Sequence, residues 1–234
     1  IVLSKGVQDY FKQTYGRDTI LIPNGVSRPE NVEADLLTKK FGLHKDDYIC
    51  ALSRLTEEKG IHYLIEAYQN VKTDKKLVIA GDTSDTDDYV MKLKKLAGNN
   101  PNIIFTGFVS GKLLEEIYSN AYVYVLPSKL EGMPLSLLEA MSYGNCVIGS
   151  DIAEIADVVE DKAILFKKAN VEDLKEKLQM VCDDVELVEK YKSEASGYIC
   201  GRYNWEDVVS RTLRVYQKGK KINENLNDKQ VSIS

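Results

Sequence analysis

Histidine and tryptophan are nearly missing from this chain: two of the first and one of the second among 234 residues. Cysteine is scarce as well. Cys50, Cys146, Cys182 and Cys200 are widely spread and form no Cys-x-x-Cys pair. Three of them sit among apolar neighbours and read as buried, reduced core thiols. With only His44 and His62 to join them, a His/Cys zinc site lacks ligands at suitable spacing. No apolar run approaches the roughly 20 residues of a membrane-spanning helix, and the mean hydropathy is −0.28. Basic residues are outnumbered, giving a net charge of −5. A globally acidic chain is poorly suited to neutralising a phosphate backbone, so nucleic acid is not an expected partner. No secretory signal leads the chain, which begins at Ile1 rather than at methionine. A truncated start and a reducing cytoplasm are the expectations.

What is present is ordinary globular composition, 44% hydrophobic and 29% charged, which excludes a disordered or collagen-like chain. Short apolar runs alternate with amphipathic stretches. Tyr48–Leu52, Leu77–Ala80, Ile103–Thr106, Tyr122–Leu126, Cys146–Gly149 and Ala163–Phe166 read as parallel strands covered on both faces. Between them, Ile61, Leu64, Ile65, Tyr68 and Val71 repeat with helical period. Further helices are expected near Tyr89–Ala97, Lys112–Ser119 and Pro134–Tyr143, the last closed by Gly144. After Asn170 the pattern is helical over Val171–Cys182, Val185–Ala195 and Trp205–Tyr216. This alternation predicts a Rossmann-like α/β domain, a parallel sheet with helices on both faces. Residues 27–217 are assigned to it, with a polar stretch, Ser27–Lys40, ahead of the first sheet strand. Residues 1–26 read as the trailing strand-helix-strand unit of a preceding domain (Ile1–Leu3, Gly6–Tyr15, Thr19–Ile22) plus the start of a linker. Residues 218–234 read as a polar, disordered tail.

Ligands of open parallel sheets bind where strands end and helices begin, and three such loops are chemically unusual. In Ser53–Gly60, Arg54 and Lys59 flank a helix start whose free amides already favour an anion, an arrangement suited to a diphosphate. A solvated loop with an Arg–Glu pair is the plainer alternative. In Glu131–Glu139, Pro134 belongs in a first helical turn, which leaves Glu131 in the loop and Glu139 inside an otherwise apolar helix. A carboxylate there needs partners. It either caps a neighbouring loop or accepts hydrogen bonds from ligand hydroxyls. The third loop, Gly81–Asp88, is acidic but lacks the glycine and terminal glutamate of a calcium loop. It reads as solvated, with a helix cap near Thr86.

Taken together, the loops resemble the C-terminal, nucleotide-sugar-binding domain of family 4 glycosyltransferases with the GT-B fold. The resemblance runs from about Ile20 to Tyr216. It rests on Pro23-Asn24-Gly25-Val26, on Arg54-Leu55 with Glu58-Lys59-Gly60, and on Thr106-Gly107-Phe108-Val109. It rests above all on Leu126-Pro127-Ser128 leading into Glu131-Gly132-Met133-Pro134 and Glu139. The resemblance implies that Arg54 and Lys59 hold the donor diphosphate and that Glu139 bonds the ribose hydroxyls. Glu131 would face the transferred sugar, and Phe108-Val109 would lie by the base. Backbone amides around Met133, Leu135 and Ser136 would approach sugar and phosphate.

It further implies a retaining hexosyl transfer from a nucleotide-diphosphate sugar, with no metal and no other cofactor. Glu131, Arg54 and Lys59 would act on the reacting groups. The acceptor is expected to be held by an upstream domain absent from this sequence, so the chain alone should bind the donor without transferring sugar. Any membrane contact would be peripheral and made through that domain. The chain departs from the family's pattern at Ser53, where glycine is usual, at Thr83-Ser84, where Gly-Pro is usual, and at Ala153-Glu154, where Gly-Gly is usual. Two other readings stand beside transfer: a GT-B nucleotide-sugar epimerase, and a non-catalytic nucleotide-binding module on the same scaffold.

Overall fold

The computed structural model describes residues 1–83 and 88–231, with residues 219–231 described by backbone alone. Six strands form one parallel sheet: β1 (Tyr48–Leu52), β2 (Lys76–Ala80), β3 (Ile103–Gly107), β4 (Val123–Leu126), β5 (Cys146–Ser150) and β6 (Ile164–Phe166). The helices are α1 (Lys5–Tyr15), α2 (Leu36–Phe41), α3 (Ile61–Tyr68), α4 (Asp88–Ala97), α5 (Gly111–Asn120), α6 (Leu135–Ser142), α7 (Ala153–Val159), α8 (Val171–Asp183), α9 (Val185–Arg202) and α10 (Trp205–Val231). Strands β4 and β5 are buried at every residue. That accounts for their unbroken apolar sequence. One core lies on the face of α5, α6, α7 and α9, around Ile117, Leu138, Ile155 and Ile199. The other lies on the face of α3, α4 and α8, around Leu64, Leu93 and Leu178. The sheet is therefore sandwiched between helices, a Rossmann-like α/β architecture.

The order β3-β2-β1-β4-β5-β6 is what positions the site. From β1 the chain walks outward through β2 to β3, then crosses back to β4 and walks the other way. The loops leaving β1 and β4 thus diverge from adjacent strand ends, the crevice in which open α/β sheets bind ligands.

Several expected elements differ in extent. The segment Ile1–Leu3 and Thr19–Ile22 forms no full strands; one parallel bridge joins Val2 to Leu21. Helix α3 stops at Tyr68, short of Val71, and the Asn70 side chain donates back to the Glu66 carbonyl. Pro134 caps α6 in an extended conformation instead of entering its first turn. Helix α9 continues past Ala195 through Gly197 and Gly201 because Ala195 and Ile199 are both buried, and packing overrides the weak helix propensity of glycine. Helix α10 runs on as far as Val231, into the tail expected to be disordered from Lys218. No proline interrupts it there. The helix cap expected near Thr86 falls outside the described residues.

Two helices were not expected. Helix α7 begins at Ala153-Glu154. Helix α2 lies in the stretch read as linker and is held by a buried carboxylate. Glu116 on α5 accepts the backbone amides of Asp35 at 3.0 Å and Leu37 at 2.8 Å through Oε2. It thereby satisfies donors at the start of α2, each of which would cost about 1–3 kcal/mol if left unpaired. The thiols of Cys50 and Cys146 are buried and pushed upward by desolvation, Cys146 to about 12, so both stay protonated in the neutral range.

Candidate active site

The loop leaving β1 ends in a short 3-10 turn, Glu57–Lys59, and then Gly60. It is fastened to the loop leaving β4. The Lys129 amide donates to the Glu58 carbonyl at 2.7 Å. Gly60 has φ +66°, and a Cβ there would lie 2.1 Å from the Pro127 carbonyl oxygen, so no other residue fits without moving the loops. Across this seam Lys59 Nζ lies 2.8 Å from both carboxylate oxygens of Glu131. Ser128 Oγ donates to Glu131 Oε1 at 2.6 Å, and Ser150 Oγ fixes Ser128 by donating to its carbonyl at 2.5 Å. The side chains of Lys59 and Glu131 are 15% and 6% exposed. A pair so little hydrated has its direction fixed, unlike a surface ion pair.

Arg54 stands on the same loop and is exposed. Its guanidinium makes no hydrogen bond or ion pair among the described residues. Its neighbourhood tolerates Ser53 in place of glycine because Ser53 keeps an ordinary φ, and its hydroxyl donates to the Arg54 carbonyl. The special backbone is at the facing residue instead. Gly81 has φ +136°, and a Cβ there would fall 1.9 Å from the Ser53 carbonyl oxygen. Thr83, at the second departure, begins with its amide on Asp82 Oδ1 at 2.8 Å; Ser84 is outside the described residues.

Glu139 lies on the next turn of α6, half-buried. The Tyr118 hydroxyl donates to its Oε2 at 3.0 Å. Burial raises the Glu139 carboxyl above the usual carboxylate range, and the Tyr118 hydrogen bond pulls it partly back. Glu139 lines a cavity of about 420 Å³ with Leu135, Tyr143 and Gly111. A second cavity, of about 400 Å³, reaches Gly132 and Met133 from the side of α1 and α7. The Glu131–Glu139 segment therefore runs between two hollows, each within the usual size of a small-molecule site. The Met133 side chain is turned away to accept the Asn24 amide on Sδ at 3.0 Å. The amides of Leu135 and Ser136 open α6, where no earlier turn can accept them. In the segment after β3, Phe108 is 77% exposed while Val109 is buried.

The structure thus joins Lys59 to Glu131 directly, with Arg54 exposed on the same loop as Lys59 and Glu139 lining a hollow farther along the Glu131–Glu139 segment. Sequence reading assigned no role to Ser128 or Tyr118. Ser128, three residues before Glu131, was detectable as a local partner; Tyr118 was not. Among the described residues no group of three or more His, Cys, Asp or Glu side chains is placed to hold a metal ion. No described helix is long and apolar enough to cross a membrane.

A six-stranded parallel sheet of this order, open at its switch point, is the architecture of the C-terminal domain of GT-B glycosyltransferases. The chain belongs to the group 1 glycosyltransferases, whose family model (Glycosyl transferases group 1) matches residues 34–198. It is 30% identical over 184 residues to an uncharacterized glycosyltransferase of Methanocaldococcus jannaschii, a match covering 76% of this chain and 47% of that protein. It is 25% identical over 187 residues to the alpha-D-kanosaminyltransferase of Streptomyces kanamyceticus, covering 78% and 48% respectively. The fold is shared with HepE of Anabaena, solved with UDP and glucose, at a TM-score of 0.84, 20% identity, and coverage of 93% and 62%. The chain spans about half the length of these two relatives, 47% and 48%.

Proposed function

We propose that this chain is the donor-binding half of a retaining, family 4 glycosyltransferase that moves a hexosyl group from a nucleoside-diphosphate sugar. The observation that carries this reading is the desolvated Lys59–Glu131 pair at the switch point, with the unpaired Arg54 on the same loop. Cleaving the anomeric C–O bond leaves negative charge on the departing diphosphate and positive charge on the sugar. Fixed cations at the phosphate and a carboxylate at the sugar favour that charge separation over the ground state. In this reading Arg54, Lys59 and the amides opening α6 would serve the first task and Glu131 the second, in a scheme that asks for no metal.

A double displacement would call for two carboxylates about 5 Å apart flanking the bond. A front-face displacement guided by the departing phosphate is the simpler route to retention. Residues 1–26 would belong with an upstream half that holds the acceptor, so the chain alone would bind donor without transfer. That the solved HepE structure carries UDP supports a nucleotide partner.

Glu139 provides the test. As the ribose partner, its change to Gln should weaken a ribonucleoside diphosphate about tenfold by calorimetry while leaving the 2′-deoxy counterpart within about twofold, the loss expected of a hydrogen bond to a charged group. Equal weakening of both, or an earlier unfolding transition with no change in preference, would return Glu139 to a purely structural role.

A further inference from the structure

Glu139 is held in place from the neighbouring helix. Tyr118 on α5 is buried, and its ring stacks on Tyr143 with centroids 5.4 Å apart and planes 21° apart. The Tyr124 ring packs against it too, tilted, with centroids 6.0 Å apart. A ring packed this way has little room to swing. Its backbone is tied down as well, because the buried Asn145 side chain donates to the Tyr118 carbonyl at 2.9 Å and to the Ala140 carbonyl at 3.0 Å. Ala140 is the residue next to Glu139, so Asn145 fixes the two helices to each other at this point.

A phenol has one proton to give. The Tyr118 hydroxyl is 3.0 Å from Glu139 Oε2 and 3.4 Å from the Ser136 carbonyl, so the carboxylate is the better acceptor. No other donor among the described residues reaches the Glu139 carboxylate, which leaves Oε1 without a protein partner at the cavity wall. A carboxylate pinned by one oxygen presents the other at a set angle.

We propose that Tyr118 is a positioning residue that pins Glu139 Oε2 so that Oε1 faces the cavity to accept the hydroxyls of a vicinal diol, the 2′,3′-diol of a ribonucleotide. This rests on the reading of Glu139 given above. It assigns the ribose preference to two helices acting together, α5 through Tyr118 and α6 through Glu139. Burial raises the carboxyl, and the Tyr118 bond lowers it. The other titratable groups facing it are Tyr124 on β4, Tyr143 beyond the end of α6, and Glu115, which lines the same cavity from α5. Burial pushes both of those phenols upward, so they are neutral wherever Glu139 titrates.

The test is calorimetry on the 234-residue chain. UDP and GDP serve as probes, and the tighter binder is compared with its 2′-deoxy form. Tyr118→Phe keeps the ring and its stacking and deletes the hydroxyl. It should weaken the ribonucleotide about fivefold and the deoxynucleotide less than twofold. Combined with Glu139→Gln, it should add nothing further. Tyr124→Phe, which keeps its ring against Tyr118 and removes a hydroxyl that donates to the Leu52 carbonyl and not to Glu139, should leave the preference intact. As pH falls, the ratio of ribo to deoxy affinity should collapse at a higher pH in Tyr118→Phe than in the wild type. The phosphates titrate alike in both nucleotides and cancel from that ratio.

If Tyr118→Phe folds poorly, Tyr118→Met must show the same selective loss. An unchanged preference in the Tyr118 variants, or losses that multiply with Glu139→Gln, would overturn the proposal. If Glu139→Gln itself shows no selectivity, or neither probe binds, the reading of the site falls and takes this inference with it.

Discussion

Arg54→Ala is expected to weaken nucleoside diphosphate binding by about 1.5–3 kcal/mol, roughly 10- to 150-fold, the range for hydrogen bonds to charged groups. It should do so without moving the unfolding midpoint. The two halves of that expectation have one cause: the guanidinium is exposed and makes no hydrogen bond or ion pair within the described protein, only a solvent-screened attraction to Glu58, so its removal costs the fold little. It is poised by its loop, whose end is pinned by the close approach of Gly60 to Pro127. A guanidinium has a planar fork of donors suited to phosphate oxygens. Calorimetry with a nucleoside and its diphosphate checks this. The nucleoside, lacking the group that Arg54 addresses, should be bound equally by both proteins. Equal losses for the two ligands would remove Arg54 from the phosphate.

Lys59→Ala should behave differently, because Lys59 already has an internal partner. With the ammonium gone, Glu131, only 6% exposed, keeps Ser128 as its donor but loses its counter-charge. Breaking a buried pair from one side costs about 3–5 kcal/mol. The retained Ser128 bond and the partial exposure of Lys59 place the expected loss near the lower end. At about 2–4 °C per kcal/mol for a chain of this size, the melting midpoint should fall by roughly 6–12 °C. Diphosphate binding should weaken too. Removing both partners together, as Lys59→Ala with Glu131→Ala, should recover part of the lost stability, since no orphaned charge remains. A Lys59→Ala protein that melts with the wild type would show that the pair is solvated and loosely directed.

The sheet was legible because its inner strands are buried on both faces and so spell themselves as apolar runs. All six begin and end within a residue of where the sequence places them. Short elements were not legible. Helix α2, Leu36–Phe41, is too brief to display a period and is stabilised by Glu116, about eighty residues away in the chain. Helix α9 outruns the Val185–Ala195 pattern because buried Ile199, on the same face as Ala195, carries it past Gly197. At the site, residue types announced the chemistry: a Lys and an Arg at a helix start, and two glutamates astride another. Their pairing was hidden. Lys59 and Glu131 are brought together by strand order, a property of the whole sheet that no local spacing reveals. The Tyr118 hydroxyl is hidden more deeply still, since a tyrosine on a helix reads as core until its one polar atom finds a partner.

We propose that the switch point recognises a diphosphate. The most direct measurement is a calorimetric titration of the wild-type chain with uridine and guanosine, each as nucleoside, monophosphate and diphosphate, at two salt concentrations. One series should tighten at each added phosphate, reach the micromolar range at the diphosphate, and weaken with salt, as charge recognition at an exposed guanidinium requires. A nucleoside that binds as tightly as its diphosphate, or an absence of saturable binding in both series, would contradict the account.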